Sequence, residues 1–216
     1  MCCIKLHSQV PPEIQNSRIF GINKLPARTT FWPAPNTEEA SKTNYDHSVW
    51  VKSLNGTWQF HWSPDPQSRP IDFYKTDFPR NNWTTIQVPS TIERQGFGTP
   101  LYSNYVYPFK VNPPFVMDTP DTLYTTYKQR NPVGSYCRKF SIPKAWKGKQ
   151  IILHLAGASS GTFVWVNGKK IGYSQDSRLP AEFESQTLFC LTIIYWLLRP
   201  TNFVMVLTSK IRTTGD

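Results

Sequence analysis

From Leu54 onward, apolar and polar side chains alternate in short runs separated by turn-forming residues. Thr57 to Trp62 sets Trp58, Phe60 and Trp62 on one face and Thr57, Gln59 and His61 on the other. That period of two is the pattern of a half-buried strand. Trp83 to Val88 predicts a second strand, closed by Pro89. Tyr136 to Ile142, Gln150 to Ala156 and Thr162 to Val166 predict three more in succession. Asn167-Gly168 then separates Phe163-Val164-Trp165-Val166 from Lys169-Lys170-Ile171-Gly172-Tyr173. Asn-Gly supplies the two positive φ angles of a type I′ turn, so a tight hairpin is expected there. Many short strands between turns point to an all-β fold, a sandwich or jelly roll.

Residues 1–50 lack this alternation and read as an irregular N-terminal arm. Within the arm, Asn36-Thr37-Glu38-Glu39-Ala40 predicts a short helical turn capped by Asn36 or Thr37. Residues 100–133 form a long connection rich in proline and tyrosine, with weak strand character at Tyr105 to Val111. Stretches this long without regular structure are usually functional or disordered. The expected division is an arm over 1–50, a β domain over 51–184 and an aberrant tail over 185–216. In the tail, Leu191 to Leu198 is apolar without alternation, and Arg199-Pro200 interrupts it. A membrane span needs about 20 apolar residues, so no membrane partner is expected.

The 216 residues give room for one sandwich with a real core. They leave none for an additional (β/α)₈ barrel, which takes about 250 residues. The 19 prolines oppose long helices, because an interior proline removes a helical hydrogen bond. A net charge of +10 raises the question of nucleic acid. However, Arg138-Lys139, Lys144, Lys147, Lys149 and Lys169-Lys170 are separated by apolar residues, as solvent-facing sheet positions are. With no zinc spacing, RNP-like motif or basic tail, no nucleic-acid partner is expected. Cys2, Cys3, Cys137 and Cys190 show neither metal-ligand spacing nor a disulfide framework. Met1 to Val10 holds no apolar run of a secretory signal, which makes the cytoplasm the expected location.

Asp176, Arg178 and Glu182 cluster near a strand end. Paired carboxylates about 5 Å apart would serve retaining glycoside chemistry. Arg178 between them suggests a structural ion pair instead, and all three read as scaffold. Trp58, Trp62 and Trp165 could stack on a sugar ring, yet their strand spacing favours core. His7, His47, His61 and His154 fit no nucleophile or metal constellation. Asn112 carries an amide with both a donor and an acceptor, ahead of Pro113-Pro114, which stiffen the loop. The same residues also read simply as the start of a turn.

Val111-Asn112-Pro113-Pro114-Phe115-Val116 and Gly172-Tyr173-Ser174-Gln175-Asp176-Ser177-Arg178-Leu179-Pro180 carry a resemblance. So do Ser53-Leu54-Asn55-Gly56-Thr57-Trp58-Gln59-Phe60, Val88-Pro89-Ser90, Tyr102-Ser103-Asn104 with Tyr107-Pro108, and Phe163 to Gly168. Residues 14 to 184 resemble the N-terminal sugar-binding domain of family 2 glycoside hydrolases, in the β-galactosidase branch. The resemblance implies a jelly roll packed against a barrel, with Asn112 contacting a galactosyl unit. It also implies retaining hydrolysis of terminal β-galactosides such as lactose by two barrel glutamates, with magnesium and a monovalent cation. No catalytic residue and no cation ligand is assignable in this chain. Three roles are therefore open: a non-catalytic fragment, a free-standing carbohydrate-binding module, or a docking subunit that completes a separate catalytic chain.

After Glu184 the resemblance collapses, and the genetic code offers a reason. Taking the last base of each codon with the first two of the next, Met205-Val206 forces Gly. The neighbouring steps permit Asp before it, then Ser-Tyr-Leu-Glu-Asp-Gln-Asp, any of four residues, Trp and Arg. That is a motif of the family, and it implies a frameshift near Glu184. The expected consequence is a sheet lacking its closing strand, with unpaired backbone groups at an edge and a loosely attached, poorly soluble tail.

Overall fold

The computed structural model describes residues 11–16, 18–42, 48–98, 132–158, 161–176 and 179–185, and the backbone of 190–196 and 209–213. Eleven strands form two antiparallel sheets among these residues. In chain order they are β1 (Gly21–Ile22), β2 (Val51–Ser53), β3 (Gly56–Ser63), β4 (Thr84–Val88) and β5 (Val133–Lys139). Then come β6 (Ile151–Leu155), β7 (Gly161–Val166), β8 (Lys169–Gln175), β9 (Ala181–Glu184), β10 (Cys190–Trp196) and β11 (Ser209–Thr213). The larger sheet has the order β1-β8-β7-β10-β5-β3-β4, and the smaller β2-β11-β6-β9. The all-β expectation holds.

One buried cluster joins the sheets. It takes Trp58 and Phe60 from β3, Ile86 and Val88 from β4, Tyr136 from β5 and Val164 and Val166 from β7. The smaller sheet answers with Leu153 and Leu155 of β6 and Ala181 and Phe183 of β9. Alternation along β3 works as expected, with Thr57 and Gln59 exposed between buried Trp58 and Phe60. The opposite face of the larger sheet buries a second cluster of Phe73, Val133, Phe163 and Tyr173, covered by Ile14.

Local chemistry sets the details. Asn167 and Gly168 have φ of 49° and 80°, the two left-handed positions that the hairpin between β7 and β8 requires. A Cβ on Gly172 would lie 2.2 Å from Cδ1 of Phe183, so this position is glycine to admit the ring. The predicted Asn36 cap is present, its Oδ1 accepting from the Glu39 amide at 2.8 Å at the start of α2 (Thr37–Ser41). Strand β5 begins at Val133, before the expected Tyr136, and stops short of Ile142. Gly134 hid the extension, and it belongs to the strand because the rings of Tyr136 and Phe60 fill the space of a side chain there.

Two expectations are corrected. The arm is not wholly irregular: besides α2, it carries a short helix α1 (Pro12–Gln15) and the edge strand β1. Ile14 of α1 seats against Gly161, where a Cβ would lie 2.8 Å from Ile14 Cδ1. Nor is the sheet left without a strand after Glu184. Cys190–Trp196 pairs with β5 on one side and β7 on the other, and Ser209–Thr213 lies between β2 and β6. The apolar run lacks alternation, but a strand central in a covered sheet needs none. Its β-branched and aromatic residues suit the ladder.

Gly172→Ala tests the seam between the sheets. The new methyl displaces the Phe183 ring, and overpacking of this kind costs about 1–3 kcal/mol, read as a lower urea unfolding midpoint. An unchanged midpoint would show that the ring does not seat there.

Candidate functional site

The topology brings both ends of the segment that carries Asn112 to one end of the larger sheet. Val133 opens β5 opposite Ser63 of β3 and Trp196 of β10. Gly161 opens β7 opposite Trp196 and Gln175, the last residue of β8. Gly98 lies against the half-buried Trp62, with a Cβ placed 3.4 Å from its Nε1, and Trp62 pairs with Gly134. The segment 99–131 therefore leaves and rejoins the described residues at this end, beside Asp176. Asn112 and its prolines lie outside the described residues, as do Tyr105 to Val111, Ser177 and Arg178.

Asp176 is spent locally, its Oδ1 accepting from the Leu179 amide at 3.1 Å and closing the turn into β9. Glu182 is committed more deeply. Its Oε2 accepts from Nε and Nη2 of Arg28 at 3.0 and 2.7 Å, and its Oε1 lies 2.9 Å from Nδ1 of His154. A cation beside Glu182 is thus Arg28 of the arm; the ion pair expected of Arg178 lies outside the described residues. His154, read from sequence as bland, is a buried partner, with the ring of Trp32 edge-on at 5.1 Å. The Leu25 amide also donates to the Glu182 carbonyl at 2.9 Å. Leu25, Pro26, Thr30, Leu179 and Pro180 close the cluster into a cleft of about 50 Å³. Burial alone would push the Glu182 carboxyl up, but the hydrogen bond from His154 and the charge of Arg28 outweigh it and hold it below 4.5. A carboxylate so engaged is a clamp and a poor proton donor, in agreement with its scaffold reading.

The other candidates separate by surroundings. Trp58 is core, and its Nε1 donates to the Leu54 carbonyl at 2.8 Å. Trp165 lies on the opposite face, stacked on Tyr74 at 5.4 Å and 11°. His61 contacts Ser63 Oγ at 3.3 Å, and burial lowers its pKa, favouring neutral imidazole. Cys137 is buried and forms no disulfide. Among the described residues no group of three or more His, Cys, Asp or Glu could hold a metal ion. Nor does any described helix have the length and apolar character to cross a membrane.

Residues 51–191 match the family model described as glycosyl hydrolases family 2, sugar binding domain. The chain belongs to glycosyl hydrolase family 2. A beta-galactosidase of Priestia megaterium is 36% identical over 189 residues, covering 83% of this chain and 17% of the relative. A beta-galactosidase large subunit of Leuconostoc lactis is 36% identical over 177 residues, 79% of this chain and 28% of the relative. The chain thus spans well under a third of the length of these relatives. Among solved structures, a calcium-binding mutant of Bacteroides uniformis beta-glucuronidase 2 superposes with a TM-score of 0.52 at 19% identity. That match covers 77% of this chain and 18% of the other, and it bears on the fold alone.

The Arg28–Glu182 clamp predicts a pH dependence. A carboxylate with lowered pKa adds stability above its unfolded value and loses it as pH falls through the folded value. Wild type should exceed Glu182→Gln by about 1 kcal/mol near neutrality, and the gap should narrow progressively as the pH falls below the ordinary Glu value of about 4.3. Urea unfolding across that range reads it, and a gap independent of pH would contradict the assignment.

Proposed function

We propose that this chain is the galactoside-binding domain of a β-galactosidase, with Asn112 supplying part of the wall of the galactose pocket. The carrying observation is the 36% identity, over most of this chain, to a relative named beta-galactosidase. Support also comes from topology, since the ends of the Asn112-bearing segment fall beside the Asp176 turn. In this reading, retaining hydrolysis by two glutamates belongs to a barrel, together with its magnesium and monovalent cation. The described carboxylates Asp176 and Glu182 are already bonded and are left no catalytic task. A cytoplasmic site of action is part of the same proposal. So is the frameshift near Glu184, and the gene tests it: a frame one base out of register must spell Asp-Gly-Ser-Tyr-Leu-Glu-Asp-Gln-Asp-x-Trp-Arg.

A second reading, a docking subunit that completes a separate catalytic chain, is favoured by the relatives named as large subunits. Restored galactoside hydrolysis on mixing with a β-galactosidase lacking this domain would support it.

Calorimetric titration with galactosides tests the main reading. Saturation is expected with Kd between about 10 μM and 10 mM, weakened at least about tenfold in Asn112→Ala, with no release of galactose. Absence of saturable binding, or hydrolysis by the purified chain alone, would overturn it.

A further inference from the structure

At the end of the larger sheet away from Val133, two segments carry charge of one sign. Segment 138–152 carries Arg138, Lys139, Lys144, Lys147 and Lys149, segment 48–58 carries Lys52, and neither contains Asp or Glu. Hydrogen bonds draw the two segments into one pole. Lys52 Nζ donates to the Ser141 carbonyl at 2.6 Å and Trp146 Nε1 to the Val49 carbonyl at 3.0 Å. Arg138 Nη1 donates to the Leu54 and Asn55 carbonyls at 2.7 and 2.9 Å. Lys149 Nζ sits 5.0 Å above the ring of Trp50.

Lys139, Lys144 and Lys147 are exposed, and no carboxylate meets them among the described residues. Elsewhere Arg28, Lys42, Lys75 and Lys170 each reach a carboxylate within 2.8 Å. Unmatched lysines gathered on one loop attract an anion more strongly than the same charges dispersed. Lysine is a compact point charge on a flexible stem, suited to anions at variable spacing. Val49, 63% exposed, and the half-buried Trp50 place apolar surface beside the charges, where a sugar ring face can lie. The positive surface is also short. Exposed Glu184, paired with Ile152 on β9, bounds it on the smaller sheet. A duplex, with a charge about every 1.7 Å, rewards a long stripe, which this pole is not.

We propose that this pole binds an anionic polysaccharide, one carrying carboxylate or sulfate groups along its chain. It lies about 20 Å, the length of β5, from the end where segment 99–131 leaves and rejoins the described residues.

The test uses the full chain, with heparin and polygalacturonate oligosaccharides followed by fluorescence anisotropy. Saturable binding is expected at low salt, with log Kd rising against log salt with a slope of about 2 for the three lysines. The triple variant Lys139→Glu, Lys144→Glu, Lys147→Glu should weaken binding at least about tenfold, with circular dichroism and unfolding midpoint unchanged. The proposal is overturned by absence of saturable binding, by a triple variant that binds like wild type, or by a DNA duplex binding as tightly as the glycans. Galactoside titration of the same variant should be unaffected, so this proposal and the Asn112 reading fail separately.

Discussion

The ring of Phe183 lying over Gly172 is the contact on which the arrangement turns. It carries β9 of the smaller sheet onto β8 of the larger, in a space that any side chain at position 172 would fill. Full burial of a phenylalanine contributes roughly 1.5–3 kcal/mol, a large share of a marginal stability. Successive residues of a strand face opposite ways, so seating Phe183 inward turns Glu182 outward. There Arg28 and His154 hold it, and the N-terminal arm is pinned to the back of the sandwich. One short strand thereby closes the core and fixes the arm.

The same strand begins where the turn from Asp176 ends. Rigidity at β9 is therefore passed to the end of the larger sheet where segment 99–131 enters and leaves. A sugar-binding loop needs such a base, because ordering a loop against a ligand costs less when its ends are already fixed. The lysine-rich pole occupies the far end of β5.

Much of this was legible in the chain. The period of two over Thr57 to Trp62, the Asn167-Gly168 hairpin and the Asn36 cap are local signals, and each appears as expected. Clusters that depend on distant partners were not legible. Arg28 and Glu182 are separated by 154 residues, and nothing near either announces the other. His154 sits within an apolar run, which marks burial and conceals its bond. Strand β10 was missed for a related reason. Alternation identifies strands with one wet face, and a run such as Leu191-Thr192-Ile193-Ile194-Tyr195-Trp196 has none to show.

The account stands on a sandwich whose middle strand is Cys190–Trp196, held by β5 and β7 together. Amide hydrogen exchange followed residue by residue reads that directly, since protection reports the free energy of opening each bond. Protection across 190–196 equal to that of Val133–Lys139 and Gly161–Val166 is the expected result. Exchange there at the rate of an unprotected chain, with the flanking strands still protected, would contradict it.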